Sequence, residues 1–207
     1  KAVNERTKGE LKTGVVPIKV EQVYRDERGE IEIKNYTGDT DEGVGADASS
    51  EGFAQLTPAS ATCGVVTAGN SSQTSDGSAF VIVMGEKMIN ELGLKPVARL
   101  VNCASAGVHP RIMGSGPVEA VPKVLKQAGM KLNDIDLIEL NEAFASQALA
   151  VIRELNLNPE IVNINGGSIF LGHPLGCTGA TLKIQIKNDK KCMNKKIGIV
   201  NHCGGGG

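Results

Sequence analysis

Residues 135–155 read IDLIELNEAFASQALAVIREL. The first six, Ile135–Leu140, form a short apolar run, the pattern of a strand buried on both faces of a parallel sheet. The next fifteen carry apolar side chains at Phe144, Ala148, Val151, Ile152 and Leu155, a spacing that predicts a helix with those residues inward. A strand that passes directly into a helix is the repeating unit of an α/β sheet.

The same alternation recurs on both sides of this stretch. GPVEAVPKVLKQAGM places Val118, Val121, Leu125 and Ala128 on one helical face and ends on Gly129. VARLVNCASAG from Val97, IVNIN from Ile161 and KIGIVNHC near the end read as further strands. Residues 65–94 predict an apolar strand, a small-residue loop, an apolar segment and a capped helix. The first 60 residues differ: VVPIKVEQVY and EIEIKNY alternate, and the acidic, glycine-rich TGDTDEGVGADASSEG follows. That predicts a hairpin or two strands, then a long surface excursion.

Composition narrows the function classes. Aromatic residues are only 3% of the 207 and Trp is absent, which argues against a stacking platform for nucleic acid. The net charge of -1 gives no general attraction to nucleic acid or anionic membrane. No apolar run approaches bilayer-spanning length, so no membrane span is expected. The segment KAVNERTKGELK lacks the apolar core of a signal peptide. The five cysteines, Cys63, Cys103, Cys177, Cys192 and Cys203, are therefore expected to be reduced thiols inside a cell. The expected compartment is the cytoplasm, or an organelle matrix in a eukaryote.

Three chemically capable side chains fall at strand exits, where open α/β sheets bind ligands. Asn141 follows Ile135–Leu140. Its first reading is an N-cap, and the alternative is an amide that orients a water or a carbonyl oxygen. His173 lies between Gly172 and Pro174 in NGGSIFLGHPLGCTGA, a stretch with five glycines. A loop histidine is most often a surface residue, but one held by glycine and proline has a fixed orientation. Its ring can donate to an oxyanion or accept a thiol proton. Cys203 ends a strand and precedes four glycines. It reads as a small buried hydrophobe or as a thiol whose acidity a nearby imidazole tunes. The glycines after it let backbone N–H groups face an incoming oxygen. No metal site is expected: His173 with Cys177 and His202 with Cys203 lack the spacing of a tetrahedral zinc centre.

NEAFASQ, NGGSIFLGHPLGCTGA and the terminal cysteine-glycine run, in this order, closely resemble the acetyl-CoA acyltransferases, the thiolases. TAGNSSQTSDGSA and GVHPRIMGSGP match further blocks of that family. The resemblance implies a layered αβαβα fold of two βαβαβαββ halves with a loop domain inserted in the first. By that comparison residues 1–60 are the end of the loop domain and 61–93 the last unit of the first half. Residues 94–207 are then most of the second half, stopping before the family's final strand.

The resemblance also implies roles. Asn141 would hold a catalytic water. His173 would form an oxyanion hole with that water and activate an acylated cysteine. Cys203 would move the α-proton, and the backbone of Gly205 would serve a second oxyanion hole. Met113 and Phe144 would line the acyl pocket, while Ala68, Ser72 and Gln73 would touch the pantetheine of coenzyme A. Coenzyme A would be a substrate, with no separate cofactor. The implied partners are acyl-CoA, the missing N-terminal thiolase half and further copies of the chain, as a homo-oligomer. The alternative expectation is a non-catalytic fragment or subunit that binds coenzyme A esters or a partner chain. None of the other four cysteines stands in the motif of the family's nucleophile. Gly45 stands where the family usually has Arg. After Ala180, Leu182, Ile184 and Ile186 alternate as in a strand, where the family has an amphipathic helix.

Overall fold

The computed structural model describes residues 15–40, 43 and 48–204. Strand β1 (Ile18–Arg25) and strand β2 (Ile31–Gly38) form the expected antiparallel hairpin, with Val23 opposite Ile33. Asp26 builds the connection: its Oδ1 accepts from the N–H groups of Arg28 and Glu30. Gly29 supplies the positive φ of 82° that the turn requires. Two short helices follow, α1 (Ser50–Ala54) and α2 (Glu86–Glu91).

The core is built around Ile135–Leu140, as its apolar pattern requires. Strand β3 (Leu137–Leu140) is buried at all four residues. It pairs in parallel with strand β4 (Gly198–Asn201), with Leu140 opposite Asn201. Helix α3 (Gly116–Ala128) buries Val121 and Leu125 and stops on Gly129, which takes the left-handed conformation at φ 65°. Helix α4 (Ala145–Glu154) buries Ala148 and Val151. These residues join Ile138, Leu140, Leu157 and Val162 in one hydrophobic cluster.

After the short helix α5 (Ser168–Leu171) comes helix α6 (Thr178–Cys192), which packs on β3 and β4. This corrects the strand expectation for residues 181–191. The alternation of Leu182, Ile184 and Ile186 also contains an i, i+4 pair. Thr178, Leu182, Ile186 and Asp189 are the buried residues, a helical spacing, and Ile184 is only partly covered.

Two further expectations are corrected. The IVNIN run is not a strand. It meets β3 through a single parallel bridge, Ile138 with Val162. Asn163 then turns away at φ 45°, and its side chain replaces the next ladder rung. Its Oδ1 accepts from Leu140 N and its Nδ2 donates to Leu140 O, both at 2.8 Å. The apolar runs at Val65–Val66, Phe80–Val83 and Val97–Val101 also carry no strand among the described residues. A β-strand exists only with a neighbour to pair, and these runs have none there.

The α6 face of the sheet buries two carboxyl groups, Glu139 and Asp189. Asn165 Nδ2 donates to Asp189 Oδ1 at 2.6 Å. Burial pushes the Asp189 carboxyl from 3.8 up to about 6, partly offset by hydrogen bonds with Asn165 and Glu139. The folded chain therefore holds a proton that the unfolded chain releases between pH ~4 and ~6, so stability falls as pH rises through that window. In the full-length protein, Asp189→Asn keeps an amide partner for Asn165 and removes the titration. Thermal unfolding should show the variant melting above wild type at pH 7.5, with the difference shrinking at pH 5.

Candidate active site

Asn141 continues β3 by one residue, its N–H donating to Asn201 O at 3.0 Å. It is completely buried. This overturns its reading as a helix N-cap: Phe144 occupies that position, and α4 begins at Ala145. Burying a primary amide without partners is costly, and Asn141 has two. Its Oδ1 accepts from Ser168 Oγ at 2.6 Å, and its Nδ2 lies 3.3 Å from His173 Nε2.

The glycines around His173 bring other groups close. At Gly167 a Cβ would collide with the Glu142 carboxylate, which in turn accepts from Asn163 Nδ2 at 2.9 Å. At Gly172, φ is 85° and Ser75 occupies the space a side chain would need. The loop is thus pressed onto residues 73–77. His173 N donates to Gln73 O at 3.2 Å, and Pro174 lies against Gly77. On the other side of the ring, His173 Nδ1 is 2.7 Å from Thr178 Oγ1, in the first turn of α6. Burial first, and the neighbouring His202 second, hold the His173 pKa below its ordinary value. The ring is therefore neutral at physiological pH.

Cys203 lies two residues past Asn201, at the same end of the sheet as Asn141, and is half-buried. Burial raises its thiol pKa, so it is a protonated thiol at neutral pH. His202, considered from sequence only as a zinc ligand, packs against Gly179, with its Nδ1 3.2 Å from Cys203 O. Gly205 lies outside the described residues.

The remaining expected site residues separate into two groups. Ala68 and Gln73 line a cleft of about 320 Å³ together with Phe53, Leu56, Ile169 and Phe170. Ser72 is next to it, its N–H donating to Ala143 O at 3.0 Å. Gln73 connects the two regions: its side chain donates to Gly43 O, and its own carbonyl receives the His173 N–H. Met113 is in the turn Pro110–Ser115, and Phe144 bridges Ser71. Phe144, expected to point inward, is 42% exposed. Sequence reasoning did not single out Ser168 and Thr178. Their signals are weak ones: a serine opening a helical turn after two glycines, and a threonine five residues after the histidine.

A histidine ring in contact with a buried amide at the end of a parallel sheet, joined through Gln73 to an open cleft, defines an α/β protein with a candidate site. The family models agree with this class. The model described as "Thiolase, C-terminal domain" matches residues 94–207, and "Thiolase, N-terminal domain" matches residues 1–87. The chain belongs to the thiolase family.

All of it aligns with the 3-ketoacyl-CoA thiolase of Bacillus subtilis at 46% identity, covering 53% of that protein. It is 43% identical to the peroxisomal 3-ketoacyl-CoA thiolase B of Rattus norvegicus, covering 48% of it. The chain thus spans about half the length of the curated relatives it matches. Among solved structures, the acetyl-CoA acetyltransferase of Bacillus anthracis superposes with a TM-score of 0.86 at 42% identity, over 100% of this chain and 50% of that one. The human mitochondrial 3-ketoacyl-CoA thiolase in complex with CoA gives 0.81 at 34% identity, over 100% of this chain and 49% of that one. The fold is the α/β thiolase fold.

Proposed function

We propose that the chain is part of an acyltransferase that makes or cleaves a carbon–carbon bond of a 3-ketoacyl-CoA. The observation that supports this best is the contact of buried Asn141, at the end of β3, with the partly buried His173, which is tied through Gln73 to the cleft. In the cleaving direction His173 Nε2 takes the proton of a cysteine thiol supplied from outside these 207 residues. The thiolate attacks the 3-keto carbon, and the bond between carbons 2 and 3 breaks. The departing enolate of acetyl-CoA takes its proton from Cys203. Coenzyme A then gives its thiol proton to the Cys203 thiolate and attacks the acyl-cysteine thioester, which releases a shortened acyl-CoA as the departing cysteine recovers its proton from His173.

His173, with a water held by Asn141, stabilises one developing oxyanion, and the backbone of Gly205 contributes to the other. Met113 and Phe144 line the acyl pocket. Ala68, Ser72 and Gln73 touch pantetheine. Residues 1–60 close the loop domain, 61–93 end the first half and 94–207 make up most of the second. The protein acts as a homo-oligomer in the cytoplasm or an organelle matrix. The full-length protein, given acetoacetyl-CoA and coenzyme A, should yield two acetyl-CoA per turnover by chromatography. Binding of coenzyme A without turnover would instead favour a non-catalytic subunit.

A further inference from the structure

The contacts around His173 form a chain whose proton directions can be worked out. Ser168 is buried, with 5% of its surface exposed, and among the described residues its hydroxyl has one acceptor, Asn141 Oδ1 at 2.6 Å. A buried hydroxyl proton without an acceptor is costly, so Ser168 donates. Asn141 Oδ1 is thereby committed as an acceptor, and the amide must present Nδ2–H to His173 Nε2 at 3.3 Å. That ring nitrogen then accepts and carries no proton. The proton of the neutral ring sits on Nδ1 and is donated to Thr178 Oγ1 at 2.7 Å. Thr178 can accept it because its own hydroxyl proton goes to Pro174 O at 2.9 Å. Every donor in this sequence has an acceptor. The opposite polarity would strip the Ser168 proton of its acceptor and break the Thr178–Pro174 bond.

We propose that Ser168 and Thr178 are positioning residues that hold His173 at rest as the Nδ1–H tautomer, with a bare Nε2 ready to take a proton. The proposal rests on the acyl-transfer reading for its catalytic meaning and on these four hydrogen bonds for its geometry. Ser168 acts entirely through Asn141. Thr178 acts on the ring nitrogen facing away from Asn141. The titratable neighbour acting on His173 is His202, at the end of β4. Gln73 and Ser75, on the segment packed against the loop, and Asn141, Ser168 and Thr178 carry no charge.

The effect on ionisation has a definite sign. Donation from Asn141 Nδ2–H stabilises the neutral ring and so favours a lower pKa. Ser168→Ala frees the amide to rotate and present Oδ1, which favours a proton on Nε2 and raises the pKa. One hydrogen bond worth about a factor of ten moves the ionisation by about one pH unit.

The test uses the full-length protein labelled with ¹⁵N-histidine, with the His173 signal assigned by its loss in His173→Gln. Two-bond ¹H–¹⁵N spectra distinguish the tautomers. Wild type should show His173 as Nδ1–H above its pKa. Ser168→Ala should shift it toward Nε2–H and move the acid limb of kcat/KM up by about one pH unit, with KM for coenzyme A unchanged. Ser168→Thr, which keeps the hydroxyl, should restore both. A wild-type Nε2–H tautomer, or a Ser168→Ala protein with unchanged tautomer and acid limb, overturns the proposal. If the wild-type protein shows no acyl transfer, the functional reading falls, and the tautomer spectrum still decides this one.

Discussion

Cys203→Ser in the full-length protein should lower acetyl-CoA condensation by about a hundredfold or more, the usual cost of removing a general acid or base. A serine hydroxyl is a far weaker acid than a thiol, so it cannot exchange the α-proton at a useful rate. On the proposed mechanism, acylation of the nucleophilic cysteine from a simple acyl-CoA uses His173 and not Cys203, so it should fall much less. The informative comparison is burst acylation against steady-state condensation in the same preparation. The position of the thiol supports this division of labour: it lies two residues beyond Asn201, at the same sheet end as Asn141, and burial keeps it protonated. Full condensation activity in Cys203→Ser would refute the role.

The second large effect concerns residues 1–207 expressed alone. This polypeptide should show no acetoacetyl-CoA thiolysis and should aggregate or bind a hydrophobic dye. Phe80, Ile82 and Val83 are each more than four-fifths exposed, and Val97 is 79% exposed. Isolated apolar residues on a surface are ordinary, but consecutive ones form the kind of patch that monomers rarely leave uncovered. Both runs have strand composition and no strand partner among the described residues. Co-expression with the segment that completes the family's length should restore solubility and turnover together. Turnover by the isolated chain at an ordinary rate would mean that one of its five cysteines serves as the nucleophile.

How much the sequence revealed depended on whether the deciding interaction was local. The hairpin was legible because its alternation and its Asp26–Gly29 turn lie within one short stretch. Helix α3 was legible from its apolar spacing and its terminal Gly129. Strand β3 was legible because burial on both faces leaves a run that is apolar except at Asp136 and Glu139. The pairing of glycine-rich loops with a histidine and a cysteine also pointed to close backbone approach, and Gly167 and Gly172 give that approach a physical cause in Glu142 and Ser75.

Other features needed partners distant in sequence. Leu182, Ile184 and Ile186 fit two periods, and the α6 helix is selected by the β3–β4 surface that Leu182 and Ile186 cover. Asn141 has the composition of an N-cap, but Asn201, Ser168 and His173 bury it as a strand extension instead. Asn163 ends the IVNIN run because its side chain, 23 residues from Leu140, takes the place of a backbone rung. Composition and spacing therefore determined which residues could do chemistry and which segments could be helix or strand. Only the tertiary structure decided the direction of each buried hydrogen bond, because a buried donor or acceptor must find its partner wherever the fold places one.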